Sequence, residues 1–131
     1  MLSFSATIYI FAMTNNFTPR KFLFYKSYFQ DFLTIQTEQV KKKILWTLKL
    51  IESEPKIHTD YFKHLKNTDG IYEIRIQLGN NHYRIFCFFQ ENNCIVIGNC
   101  FQKKPQKTPK KEILKASKIK KEYEIELKNS R

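Results

Sequence analysis

At 131 residues the chain has the length of one domain, enough to bury a single core and too short for a catalytic domain joined to a separate binding domain. Lys and Arg outnumber Asp and Glu by 23 to 12, a formal charge of +11 that favours phosphate-bearing partners or an acidic protein surface. The excess is uneven, with a net +7 from Phe101 to Arg131 and only +4 over the first hundred residues.

The opening "LSFSATIYIFAM" is apolar, but it falls short of the roughly 20 residues a spanning helix needs, and no basic residue precedes it as in a signal peptide. Either translation starts at Met13 or residues 1–12 are a dispensable extension. The reading is thus a single domain over 21–131 behind an N-terminal extension, 1–20, that is disordered or mis-assigned, with no membrane association. Cys87, Cys94 and Cys100 are odd in number and lack the C-x-x-C spacing of zinc or redox sites, so they read as core packing in a reducing cytoplasm, and neither a metal nor a cofactor is expected.

"KFLFY", from Lys21, is rich in aromatics and reads as a first short strand. Tyr25, Tyr28, Phe29 and Phe32 then recur at helical spacing. After Thr37, a suitable N-cap, Val40, Ile44, Leu48 and Ile51 form the stripe of a second helix that Pro55 ends. Trp46 lies off that stripe, as a second core face or a partner contact.

Pro55 to Gly70 is mixed and closes on the turn signal "NTDG". "IYEIRIQL", "HYRIFCFF" and "CIVIGNCF" follow, separated by short polar connectors, and predict a three-strand antiparallel meander. The second of these is apolar on both faces and should be central. Thr108 as N-cap and Pro109 as first helical residue start a last helix, whose stripe is Ile113, Ala116, Ile119, Tyr123 and Leu127. The order β-α-α-β-β-β-α predicts an α+β domain: an antiparallel sheet of about four strands carrying two N-terminal helices and a C-terminal one.

Strand alternation puts Tyr72, Ile74, Ile76 and Leu78 on one face and Glu73, Arg75 and Gln77 on the other. A two-residue loop at Asn80-Asn81 would set Arg84 opposite Gln77 and diagonal to Arg75, so two guanidiniums share a sheet face. A guanidinium near the start of a central strand needs an anion, and either Glu73 or a bound phosphate would serve Arg84. An even loop at Asn92-Asn93 brings Asn99 and Phe101 to that face. The chain then runs into Lys103, Lys104 and Lys107, so that an exposed Phe101 beside cations makes a usable RNA surface.

These residues carry a resemblance. "HLKNTDGIYEIRIQLGNNHYRIFCFF" and "GNCFQKKPQKTPKKEILKA" resemble the RelE/ParE superfamily of toxins from type II toxin-antitoxin pairs, most closely the HigB-like, phage-derived branch. The resemblance spans about Lys21 to Glu126, with "GNCF" departing from the branch's usual Gly-Phe before the lysines. It implies a RelE-like fold and a toxin that cleaves messenger RNA on the ribosome without metal. It also implies inhibition by an antitoxin, typically a small helix-turn-helix DNA-binding protein.

The resemblance carries functional basic positions onto Arg75, Arg84, Lys103, Lys104 and Lys107, of which the first four are the catalytic candidates, and His82 is a weaker alternative from its imidazole chemistry alone. Phe101, Lys107, Asn99, Lys110 and Lys111 are RNA-binding candidates. The arginines suit phosphate charge, while a lysine crowded by its neighbours, or His82 or His64, would move protons. Truncating Phe101 should then weaken RNA engagement more than stability. A ParE-like gyrase inhibitor on the same fold and a non-enzymatic basic RNA-binding module are the alternatives.

Overall fold

A computed structural model describes Ala6 and residues 17–104 and 109–130 of the chain. The elements run β1 (Lys21–Phe24), α1 (Tyr28–Thr34), α2 (Glu38–Ser53), β2 (Phe62–His64), β3 (Tyr72–Leu78), β4 (Asn81–Glu91), β5 (Cys94–Lys103) and α3 (Lys110–Asn129). They form an α+β domain around one sheet of spatial order β1-β5-β4-β3-β2. The expected meander is present with β4 at its centre, and two features differ from the expectation. β1 lies parallel to β5, pairing Lys21 with Cys94 and Phe24 with Ile97, so the sheet is mixed. Three residues inside the stretch that read as mixed, Phe62–His64, add β2 as a fifth strand on the β3 edge.

The two faces of the sheet carry different helices. Alternation along β3 and β4 sends Ile74, Ile76, Tyr83 and Ile85 towards α1 and α2, where Phe29, Phe32 and the α2 stripe of Val40, Ile44, Leu48 and Ile51 meet them. Thr37 caps α2, its side chain accepting from the Val40 N–H at 3.3 Å. The opposite face packs under α3: Phe88 and Val96 meet Ile119 and Tyr123, while Phe86 meets Ala116 and Ile71. The aromatic stripe expected of the first helix is divided between these layers. Tyr25 precedes the helix and joins the α3 side, its ring edge-on to Tyr123 at 5.3 Å.

Local geometry explains how α3 seats. β5 shifts register against β4 between the pairs Ile85–Cys100 and Cys87–Ile97, placing Gly98 and Asn99 in a bulge across from Phe86. A Cβ on Gly98 would stand 3.3 Å from the Phe86 carbonyl oxygen and 3.6 Å from Ile119 Cγ2, so glycine lets strand and helix approach. α3 begins at Lys110 with Pro109 as its N-cap, one residue later than expected, and Thr108 lies outside the described residues.

Arg20, just ahead of β1, is tied to the end of α2. Arg20 donates from Nη1 to the carbonyls of Ile51 (3.0 Å) and Glu54 (2.6 Å), and from Nη2 to that of Pro55 (3.1 Å). The Ile51 and Glu54 carbonyls lie at the C-terminal end of α2 and that of Pro55 just beyond it, so the guanidinium both satisfies orphan acceptors and meets the negative end of the helix dipole. Arg20→Ala is expected to cost about 1–2 kcal/mol in urea denaturation. A loss below about 0.3 kcal/mol would mean that water replaces these bonds at no cost.

Candidate functional site

The β3–β4 hairpin closes through Gly79-Asn80, with Leu78 paired to Asn81. Gly79 holds φ +60°, the positive value that a two-residue hairpin loop opening on glycine uses. The loop thus sits one position earlier than expected, which moves the pairing by two residues and leaves every side chain on its predicted face. Arg75 stands directly opposite Arg84, and Gln77 opposite His82. On the other side of β4, Arg84 pairs with Phe101 and His82 with Lys103.

Two guanidiniums placed across one sheet pair would repel, and a carboxylate stands between them. Glu73 is buried on the same face, with Oε1 3.6 Å from Arg75 Nε and Oε2 3.4 Å from Arg84 Nε. The pairing is electrostatic, since Glu73 Oε2 and the Nε of both arginines find no hydrogen-bond partner. Arg84 is only 4% exposed, and its Nη1 donates to its neighbour Tyr83's carbonyl at 3.0 Å. Burial pulls the Arg84 pKa down from its ordinary value, Glu73 acts against that, and Arg75 adds to it. Arg75 is freer, its side chain 35% exposed. One carboxylate for two guanidiniums leaves a net positive face.

That face opens into a groove of about 640 Å³. Arg75, Arg84, His82 and Lys103 line it together with Gln77 and Gly79. Three further lining residues come from elsewhere in the chain and were missed in the sequence: Lys43 from α2, and Asp60 and Tyr61 from the segment before β2. The short β2 explains their access. Its last backbone bond, Arg75 N–H to the Tyr61 carbonyl at 2.9 Å, leaves the rest of β3 as an open edge beside which these side chains gather. Only the aromatic at 61 could have drawn notice from sequence, since no spacing links it to Arg75.

The other sequence candidates divide. Lys103 belongs to the groove, and Lys104 lines an adjoining depression of about 260 Å³ with Asn80, Asn81 and Gln102. Lys110 and Lys111 are exposed on the first turn of α3, and Lys107 lies outside the described residues. Asn99 is not presented to a ligand on the arginine face. It is 2% exposed, and its Nδ2 donates to the carbonyl (3.0 Å) and Oε1 (3.2 Å) of Glu112, tying β5 to the start of α3.

Phe101 is half-buried rather than the expected free stacking surface. Its ring lies 5.1 Å from Phe86 in an edge-to-face contact among residues under α3. The face was predicted correctly, but α3 covers that end of it. His64 sits on β2 against Tyr72, away from the groove.

The thiols are poor candidates for chemistry. Burial pushes Cys87 well above the ordinary thiol value. It also pushes Cys100 up to about 12, with Glu112 adding to the shift and Lys115 opposing it. Among the described residues no group of three His, Cys, Asp or Glu is placed to hold a metal ion.

The central β3–β4 hairpin thus carries a basic groove that Lys103 of β5 joins. The family model described as "Phage derived protein Gp49-like (DUF891)" matches residues 31–121. The chain belongs to this family. The match runs from α1 through most of α3 and contains Arg75, His82, Arg84 and Lys103. Gp49-like proteins are associated with the toxins of toxin-antitoxin pairs, which suggests an antitoxin as partner. None of the curated proteins matches this Gp49-like chain. No helix among the described residues is long and apolar enough to cross a membrane.

Proposed function

We propose that this Gp49-like protein is a RelE-type toxin, of the HigB-like kind, that cleaves messenger RNA on the ribosome and is restrained by a small helix-turn-helix antitoxin. The observation that carries the reading is the groove: two arginines opposite each other on one sheet face, backed by a buried carboxylate, with His82 and Lys103 paired beside them.

The proposed reaction is attack of a ribose 2′-oxygen on the adjacent phosphorus. The 2′-hydroxyl proton passes to a base, the bond to the 5′-oxygen breaks, and an acid returns a proton to that oxygen. The products are a 2′,3′-cyclic phosphate and a free 5′-hydroxyl. Arg75 presents its forked N–H groups to the phosphate oxygens as charge builds there. Arg84, held against Glu73, contributes positive potential from behind. His82 is assigned the proton transfers, because it lines the groove beside Arg75 and Arg84 and carries the ring that side-chain acid-base catalysis uses most often. Lys103, across the strand pair from it, holds the incoming backbone, and Lys104, Lys110 and Lys111 extend the cationic path towards ribosomal RNA.

The test is to map RNA ends after brief induction. Cuts phased with codons and dependent on translation are expected, and His82→Ala is expected to reduce them by about 100-fold or more while remaining folded. Intact messages accompanied by DNA damage would replace this reading with gyrase inhibition. Full cleavage by a folded His82→Ala protein would pass the proton transfers to Lys103 or Lys104.

A further inference from the structure

With Phe101 committed to Phe86, the aromatic surface of the groove lies on its opposite side. Tyr61 lines the groove next to Arg75, to which its carbonyl is tied at 2.9 Å. Its ring is held edge-to-face by Trp46 of α2, the centroids 5.9 Å apart at 66°. Trp46, the single tryptophan of the chain, is 48% exposed. Lys43, three residues earlier on α2, places its ammonium 4.5 Å from the indole centroid and also lines the groove. The half of the indole that Tyr61 and Lys43 leave uncovered is apolar area that a further ring could cover. The setting narrows the cover, because Tyr61 shares its groove with Lys43, Arg75, Arg84 and Lys103 against one lining carboxylate, Asp60, a balance that suits a phosphodiester chain.

We propose that Tyr61, buttressed by Trp46 and flanked by Lys43, is a stacking subsite for an unpaired RNA base next to the phosphate held by Arg75. This rests on the reading of the groove as an RNA site and adds to it the place where a base is held. Edge-to-face contact with Trp46 fixes the Tyr61 ring, so a base that lies on it meets a surface already ordered. Stacking accepts any base, and the subsite therefore serves register along the strand more than sequence choice. Lys43 and Arg75, which line the groove together with Tyr61, are assigned the phosphates on either side of that nucleotide.

The test uses the full chain at low salt with a short 2′-O-methyl oligoribonucleotide, which cannot be cleaved, and an abasic strand of equal charge. Wild type should bind the first more tightly than the second by roughly 5- to 100-fold, with a change in Trp46 emission on binding. Tyr61→Ala should lose that preference and bind both strands as wild type binds the abasic one, while Tyr61→Phe keeps the preference. A misfolded Tyr61→Ala protein would lose affinity for both strands, and in that case Tyr61→Phe against Tyr61→Leu carries the comparison. Binding of the first strand with unchanged Trp46 emission and no effect of Tyr61→Ala overturns the subsite alone. Absence of binding to either strand by wild type overturns the subsite, and the RNA reading of the groove falls with it when messages also stay intact after induction.

Discussion

Arg84→Ala is expected to lower stability by about 3 kcal/mol and to lose RNA cleavage, whereas Arg75→Ala is expected to lose cleavage with little change in stability. The difference follows from burial. Glu73 and Arg84 are both buried, so removing the guanidinium leaves a carboxylate with only the half-exposed Arg75, 3.6 Å away, to balance it. The 3.4 Å separation and the second arginine put the cost at the lower end of the usual range for breaking a buried pair. For a chain of this size that is a fall of roughly 10 °C in Tm. Each arginine should take about 100- to 1,000-fold off the cleavage rate, the usual cost of removing one group that stabilises developing charge.

A double variant separates the two effects. Adding Glu73→Gln to Arg84→Ala removes the stranded charge, so stability should recover in part while cleavage stays absent. Denaturant unfolding and RNA-end mapping on the same three proteins check this. Equal destabilisation by the two single variants would rule out the buried-pair account, and growth arrest by a folded Arg75→Ala protein would remove that residue from the site.

Phe86→Ala should cost about 4 kcal/mol, because the ring is fully buried where β4 meets α3 and contacts cannot close over the space it leaves. Gly98 sits against the same strand, so the cavity lies at the closest approach of sheet and helix. Leu114 on the same helix is 65% exposed, and Leu114→Ala should stay within about 0.5 kcal/mol of wild type. Urea midpoints of the two variants measure the contrast. A cost under about 1.5 kcal/mol for Phe86→Ala would mean that α3 is held on by its margins rather than by this contact.

Much of this architecture was legible from residue order. The α2 stripe at Val40, Ile44, Leu48 and Ile51 is buried as its spacing requires, and the cap at Thr37 forms. β4 is central because it is apolar on both faces, and Arg75 and Arg84 share a face because alternation survives a two-residue change in pairing. Local periodicity is a property of the chain itself, so these features need no knowledge of what packs where.

The remainder depends on contacts between distant segments. A strand of three or four residues carries no mark of its neighbour, so neither the parallel pairing of β1 with β5 nor the existence of β2 could be read from "KFLF" or "FKH". Alternation assigned Phe101 to the arginine face, but whether a residue on that face meets solvent or a helix is settled by where α3 lies, and α3 covers Phe101 and Asn99. The groove likewise gathers Lys43, Asp60 and Tyr61 beside Arg75 only because β2 begins no earlier than Phe62, opposite Ile74, and α2 crosses the opposite face of the sheet. Spacing along the chain decides helices, strands and faces, since these repeat every two to four residues. Burial and the membership of a site are decided by packing between elements tens of residues apart, for which one sequence holds no periodic signal.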